Sequence, residues 1–222
     1  MKRITLLLAL IVASTVGATQ AWADQVIYQN DPLDGGIGGI SDFGWGQQVA
    51  DDFVLTEGMT TITDIHWWGG YGNDPDPTLD DFTVRFFADA DGAPDIYPFF
   101  EEAAGTVGRV ATDMTSSALG SYDGGTVYEY WYDLAAPLEL SADTTYYVSI
   151  LNDTYSAWGW LESLSGTHDL SWRYYDGYSW YTYDTDMAFA LTGPVVPEPA
   201  SMTLLGLGLA GLSVRRFRRK RV

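Results

Sequence analysis

Residues 144–151 have the sequence Thr-Thr-Tyr-Tyr-Val-Ser-Ile-Leu, which indicates most directly how the chain folds. In an extended segment, Tyr146, Val148 and Ile150 point to one face, and the residues between them point to the other. The aromatic and β-branched side chains favour a strand over a helix. We therefore predict a half-buried β-strand at this position.

Two further segments alternate in the same way, 82–87 (Phe-Thr-Val-Arg-Phe-Phe) and 126–134 (Thr-Val-Tyr-Glu-Tyr-Trp-Tyr-Asp-Leu). The other strand candidates are 48–55, 60–68, 106–112, 157–161, 170–175, 179–183 and 187–191. About ten short strands separated by Gly, Asp and Pro predict an all-β fold. The expected architecture is an antiparallel two-sheet β-sandwich, jelly-roll-like.

The connections between these strands carry their own signals. Asp176-Gly177, between two aromatic runs, predicts a tight hairpin turn. Residues 73–81 and 88–98 are rich in Asp and Pro and are predicted to be loops, and 99–104 is predicted to be a small helical turn. A chain of 222 residues without cysteine leaves roughly 170 residues for one domain once its two ends are set aside.

Charge is distributed very unevenly along the chain. Residues 24–196 contain three Arg, no Lys and 29 acidic residues, a formal charge of −26. Such a surface repels phosphate backbones, so we expect no nucleic-acid partner. It suits an exported protein, or one that collects divalent cations. The remaining basic residues lie at the two termini.

The N-terminus has the pattern of a secretory signal peptide. Met1-Lys2-Arg3 precedes an apolar run over 4–12, and Ala21-Trp22-Ala23 has the small-x-small pattern of a cleavage site. The alternative, a membrane anchor, fits less well because the apolar run is short for a span of about 20 residues. We expect the Sec translocon and signal peptidase to handle residues 1–23, so that the mature chain begins at Asp24.

The C-terminus combines three parts in a fixed order. Pro197-Glu198-Pro199 is followed by an apolar stretch over 200–214 and by a basic cluster that includes Arg215, Arg216, Arg218 and Arg219. The prolines predict a stiff linker over 194–199, and the apolar stretch predicts a transmembrane-like helix. The basic tail, 215–222, is expected to remain cytoplasmic. The domain between the two ends would then lie outside.

This order of parts resembles the PEP-CTERM sorting signal of Gram-negative bacteria. The resemblance covers 197–222 and implies recognition and processing by exosortase, a membrane-embedded cysteine protease. It also implies transient residence in the inner membrane and a cell that makes exopolysaccharide. The alternative is an ordinary tail anchor.

The segment between the ends also resembles a known kind of domain. The sequences VADDFVL, TITDIHWWGGY, FTVRFFADADGAP, TTYYVSIL, WGW and DMAFALTG are similar to a β-sandwich ectodomain common among PEP-CTERM precursors. The resemblance spans most of 51–193, implies location and fold, and brings no established catalytic residues with it. We predict that the whole β-sandwich ectodomain extends over 24–193.

Candidate catalytic residues are few. Cysteine is absent, residues 24–196 contain no lysine, and only His66 and His168 could act as a neutral-pH base. Neither stands in a G-x-S-x-G or H-E-x-x-H context. Paired carboxylates could cleave glycosides, but 29 acidic residues produce suitable pairs by chance. We therefore expect no enzyme and no required cofactor.

Calcium is the one ion that the sequence favours. Asp89, Asp91 and Asp95 stand on one predicted turn, and Asp74 and Asp76 stand in the other Asp-rich loop. Clustered carboxylates supply the oxygen ligands that Ca2+ prefers. The alternative is a pair of turns whose Asp side chains bond local backbone.

Aromatic side chains offer a binding hypothesis. Flat rings exposed on a β-sandwich can stack on sugars, although alternation turns about half of them inward and large aromatics also fill cores. The candidates are Trp67, Trp68, Tyr71, Trp158, Trp160, Trp172 and Trp180.

The sequence thus favours a non-enzymatic surface or matrix protein with a structural or adhesive role in an exopolysaccharide-rich envelope. A carbohydrate-binding module, with exposed aromatics and possible help from calcium, is the first alternative. A carboxylate-based glycan hydrolase is the second. Polysaccharide is a partner in both alternatives.

Overall fold

The computed structural model describes residues 24–72, 80–119, 122–164, 170–174, 179–183 and 185–194. These residues form fifteen β-strands and one short 3-10 helix, Phe43–Trp45. The strands are β1 Asp24–Asn30, β2 Ile37–Ile40, β3 Gln47–Val54, β4 Thr61–Gly70, β5 Phe82–Ala88, β6 Phe100–Gly105, β7 Gly108–Thr115, β8 Ala118–Leu119, β9 Tyr122–Asp123, β10 Thr126–Glu139, β11 Thr145–Asn152, β12 Gly159–Leu161, β13 Leu170–Tyr174, β14 Tyr181–Tyr183 and β15 Phe189–Pro194.

The strands form two sheets. The nine-stranded sheet has the order β1-β15-β4-β12-β2-β8-β9. Strand β10 pairs with the edge of β4 that lies away from β15, and β7 pairs in turn with β10. The six-stranded sheet has the order β14-β13-β3-β11-β5-β6. The pairings are antiparallel except for β2 with β8. The prediction of an all-β chain with two sheets is therefore confirmed.

The two sheets share one core. Trp67 of the nine-stranded sheet packs edge-to-face on Phe82 of the six-stranded sheet, with ring centroids 5.3 Å apart. Phe53 and Phe189 meet across the same interface at 6.2 Å. Such aromatic contacts between sheets are what a sandwich arrangement requires. The finer jelly-roll description stays a prediction.

The alternation in β11 has the predicted consequence. Val148 and Ile150 lie in the shared core, whereas Tyr147 packs on the outer face of the six-stranded sheet with Ala50 and Phe87. The same division holds in β5 and β10. A period of two therefore indicated correctly which side chains face the opposite sheet.

Gly69 allows a close approach near the end of β4. There β4 exchanges one neighbour for another, since Trp67 pairs with β15 and Gly69 pairs with β12. A Cβ at Gly69 would lie 2.6 Å from Trp158 Cζ2 and would also meet the Gly159 carbonyl. At this junction between the β4–β15 and β4–β12 pairings there is therefore no space for a side chain at position 69.

Some predictions about local structure are corrected. The helical turn predicted at 99–104 is wrong, because Phe100–Gly105 pairs with β5 as an edge strand. Phe100 packs on Phe86, with centroids 5.7 Å apart, and this contact holds the segment extended. Strands β1, β2, β8 and β9 were not predicted. The Asp176-Gly177 turn, the signal helix and the C-terminal helix lie outside the described residues.

Candidate functional site

Most of the predicted aromatic platform lies inside the protein. Five of the seven candidate side chains are at most 9% exposed, namely Trp67, Trp68, Tyr71, Trp158 and Trp160. Trp67 stacks on Tyr130, and Trp160 donates its indole N–H to the carbonyl oxygen of Ala188 at 2.8 Å. The assignment of these five residues to a sugar-stacking surface is therefore corrected, because their rings are buried within the fold.

The other two candidates belong to the β13–β14 pair. The backbone of Trp172 pairs with Val49 on one side and with Tyr181 on the other. Trp180 is half-buried, packs edge-to-face on Phe87 and donates its indole N–H to the Asp95 carbonyl oxygen at 3.3 Å. Trp180 therefore holds this strand pair against the loop at 89–95.

Three exposed aromatic residues gather on a loop surface that sequence reasoning missed. Phe43 and Trp45, in the 3-10 helix, are 42% and 43% exposed, and Tyr155 is 82% exposed. A Cβ at Gly44 would lie 2.5 Å from Tyr155 Cδ1, so the tyrosine ring packs against the helix backbone. We call Phe43, Trp45 and Tyr155 the loop aromatic patch.

The loop aromatic patch has a rigid base. Asp42 caps the 3-10 helix by accepting a hydrogen bond from the Gly44 N–H at 2.8 Å, and Gly44 N also donates to the Thr154 carbonyl oxygen at 3.0 Å. Thr154 donates its hydroxyl to Asp42 at 3.4 Å. The Phe-Gly-Trp-Gly sequence at 43–46, which breaks the strand alternation, was the available signal.

The predicted calcium turn at 89–95 is a hairpin turn. Asp91 and Gly92 both have positive φ, 58° and 84°, as a type I′ turn requires. Asp89 accepts hydrogen bonds from the Gly92 N–H at 3.1 Å and from the Tyr147 hydroxyl at 3.2 Å. Asp95 accepts one from the Ile96 N–H at 2.6 Å. Asp89 and Asp95 thus each bond local backbone, as the alternative interpretation expected, and calcium binding at this turn stays a prediction.

The second Asp-rich loop is described only at its end. Asp74 and Asp76 lie outside the described residues. Asp80 is buried, pairs with Arg109 at 3.2 Å and accepts a hydrogen bond from the Tyr71 hydroxyl at 2.6 Å. Burial raises the pKa of Asp80, and Tyr71 and Arg109 oppose that shift. Asp80 therefore serves a buried network that joins β7 to the end of β4.

His66 lies between two carboxylates on the nine-stranded sheet. Its Nε2 is 2.9 Å from Asp64 Oδ2, and its Nδ1 is 2.8 Å from Glu129 Oε1. The hydrogen bond with Asp64 is the largest of the influences that raise the pKa of His66. Because both ring nitrogens bond carboxylates, neither has a lone pair available for general-base catalysis. His168 lies outside the described residues.

A further acidic cluster lies at the edge of the core. Asp51 and Asp52 belong to β3, and Asp186 precedes β15. One carboxylate oxygen from each lies within 4.8 Å of the other two. Burial raises the pKa of Asp51 well above its usual range, and the charges of Asp186 and Asp52 add to that shift. Among the described residues, this cluster has the composition of a site for a hard cation.

Among the described residues, no helix has the length and apolar character needed to cross a membrane. The predicted sorting residues lie outside the described part of the chain, namely Pro197, Glu198, Pro199, Arg215, Arg216, Arg218 and Arg219. No curated protein matches the chain.

Two family models match the sequence. The PEP-CTERM protein-sorting motif matches residues 195–220, the segment that contains all the predicted sorting residues. This motif indicates an exported protein that is targeted to exosortase. A domain of unknown function, DUF7901, matches residues 22–192 and so covers both sheets. The chain therefore belongs to the DUF7901 family and ends in a PEP-CTERM sorting motif.

Proposed function

We propose that the protein is a surface or extracellular-matrix protein with a structural or adhesive role in an exopolysaccharide-rich envelope. The observation that carries this proposal is the sorting motif at 195–220, placed directly after the family domain at 22–192. A chain with this order is exported, folds its β-domain outside the inner membrane and is processed at its tail. Its role is carried out by the two-sheet domain.

The described side chains favour a role without catalysis. Both ring nitrogens of His66 bond carboxylates. Two of the three arginines of the domain also pair with carboxylates, Arg85 with Glu101 and Arg109 with Asp80. The chain has no cysteine nucleophile. Large aromatics fill the core, and four of the seven tryptophans whose side chains the structure describes are at most 9% exposed, so those four support the fold rather than a binding surface.

A deletion strain tests this role in a host that encodes an exosortase and makes exopolysaccharide. The full chain is expected to accumulate in the matrix fraction and to restore matrix cohesion. A chain lacking 195–222 is expected to be exported without restoring it. Unchanged cohesion in the deletion strain contradicts the proposal. So does turnover of polysaccharide that a single Asp or Glu substitution abolishes, which would favour the hydrolase.

The loop aromatic patch favours one second candidate, a carbohydrate-binding module. The exposed Tyr155 ring packs on Gly44 of the 3-10 helix that carries the exposed Trp45, and the exposed Asp153 stands two residues before Tyr155 in the chain. Exposed rings can stack on sugars, and carboxylates can accept hydrogen bonds from hydroxyl groups. This patch replaces the buried tryptophans as the surface on which a glycan would bind.

A glycan array with the exported protein tests this candidate. Binding that Trp45→Ala abolishes and Tyr97→Ala preserves supports the module, because Tyr97 is 72% exposed outside the patch. Equal thermal midpoints of the two variants would show that both remain folded. Absence of binding by the wild-type protein, or an equal loss in both variants, contradicts this candidate.

A further inference from the structure

We propose that Asp51, Asp52 and Asp186 bind one Ca2+ ion at the edge of the core, between the two sheets. This site is separate from the Asp89–Asp95 turn, whose carboxylates bond local groups. Asp51 and Asp52 come from the six-stranded sheet, and Asp186 stands before β15 of the nine-stranded sheet. A bound ion would therefore join the two layers.

The spacing of the oxygen atoms fits a single ion. Ca2+ binds oxygen at about 2.3–2.6 Å, so two oxygens on one ion are at most about 5 Å apart. One oxygen from each of the three carboxylates meets this limit, with every separation within 4.8 Å. The three carboxylates offer three of the about six to eight oxygen ligands that Ca2+ takes, and water would supply the others.

Asp51 supplies an independent indication of a missing ligand. Its side chain is fully buried, and its Oδ2 accepts hydrogen bonds from Asn30 Nδ2 at 3.1 Å and from the Met187 N–H at 2.9 Å. Its Oδ1 is buried without a hydrogen-bond partner among the described residues. A buried carboxylate oxygen without a partner is costly, and a cation coordinated there would remove that cost.

The electrostatic surroundings also favour a cation. No ion pair between described residues involves Asp51. Burial, followed by the charges of Asp51 and Asp52, raises the pKa of Tyr28, whose hydroxyl donates to the Asp52 carbonyl oxygen. The three carboxylates lie close together, and either a shared proton or a divalent cation would relieve the repulsion between their charges.

The chemistry of the ligands selects among cations. All three side chains offer oxygen atoms, which suit hard cations and not the softer metals that take Cys or His. Asp52 is half-buried, whereas Asp51 and Asp186 are buried, so an ion would enter from the Asp52 side. Ca2+ accepts irregular carboxylate coordination, whereas Mg2+ demands a near-octahedral shell and keeps several waters.

Calorimetry with calcium chloride tests the site on the exported protein after treatment with a chelator. The expected result is one Ca2+ per chain and a thermal midpoint raised by about 5–10 °C at 100 times the dissociation constant. Asp186→Asn, which keeps the side-chain shape, is expected to weaken binding at least about 10-fold. Asp91→Asn is the matched control and is expected to bind as the wild type does.

Three results would overturn the proposal. The first is a wild-type protein whose midpoint does not respond to millimolar Ca2+. The second is binding that Asp91→Asn weakens as much as Asp186→Asn does. The third is an equal response to magnesium chloride. If Asp51→Asn raises the midpoint while Ca2+ has no effect on the wild type, the cluster shares a proton instead of binding an ion.

Discussion

Trp67 and Tyr130 stack in the centre of the core, with ring centroids 5.8 Å apart and ring planes within 5° of parallel. They lie opposite each other on β4 and β10. Both rings pack against Phe82 of the other sheet, at 5.3 and 5.2 Å. This stack therefore joins strand pairing within one sheet to packing between the two sheets.

Loss of the Trp67 ring is expected to destabilise the domain strongly. Trp67→Ala removes a fully buried side chain and should lower the free energy of unfolding by about 3–5 kcal/mol. Urea denaturation measures this value. Tyr97→Ala, at an exposed position, should change it by less than about 0.5 kcal/mol. Similar losses in the two variants would contradict the core position of Trp67.

A methyl group at Gly69 is expected to disturb the pairing of β4 with β12. Gly69→Ala should lower the free energy of unfolding by about 1–3 kcal/mol, because the new Cβ would meet Trp158 and the Gly159 carbonyl. Gly39→Ala is the strand control, since its Cβ would lie 3.5 Å from Val49 in ordinary contact. Thermal unfolding compares the two variants, and a larger loss for Gly39→Ala would contradict the described packing.

The buried pair of Asp80 and Arg109 should be sensitive to removal of its cation. Arg109→Met leaves a carboxylate that is 1% exposed without its charge partner, at a cost of about 3–5 kcal/mol. Arg85→Met should cost less, because its partner Glu101 is 52% exposed and can turn to water. Denaturant midpoints measure both costs. The reverse order would show that Asp80 does not depend on Arg109.

His66 is expected to make stability depend on pH above 6.5, the ordinary pKa of histidine. Its raised pKa means that the folded state favours the charged imidazole between Asp64 and Glu129. This contribution is fully present below 6.5, the ordinary value, and is lost as pH rises through the folded pKa. The difference in thermal midpoint between wild type and His66→Gln should therefore shrink over that range.

A direct titration checks the same point. The chain has two histidines, so NMR can follow the His66 imidazole, assigned by its absence from His66→Gln. The expected midpoint lies above 6.5. A midpoint at or below that value would mean that the two carboxylates do not hold the ring in its charged form.

Sequence patterns predicted the strands well where alternation was strong. β5, β10 and β11 each place the predicted set of side chains in the core. Alternation could not tell that both faces of β4 are covered, so that Trp67 and Trp68 are buried on opposite sides. Strand periodicity indicates to which face a side chain points, but it does not indicate what covers that face, so it could not distinguish buried tryptophans from exposed ones.

The candidate sites depended on contacts between distant parts of the chain. Asp186 joins Asp51 and Asp52 only because the loop before β15 folds back beside β3. Two adjacent acidic residues inside the apolar segment VADDFVL could have indicated a buried acidic site, but no local sequence pattern identifies Asp186 as its third member. Tyr155 reaches the 3-10 helix in the same way, because the Gly44 N–H donates to the Thr154 carbonyl oxygen.

The most direct measurement is the intact mass of the protein recovered from the extracellular and membrane fractions of cells with and without their exosortase. With exosortase, the predicted mass corresponds to a chain that begins near Asp24 and ends near Pro197-Glu198-Pro199. Without it, the predicted mass extends to Val222 and the protein stays in the membrane fraction. Exported protein that keeps residues 200–222 in both strains would contradict exosortase sorting.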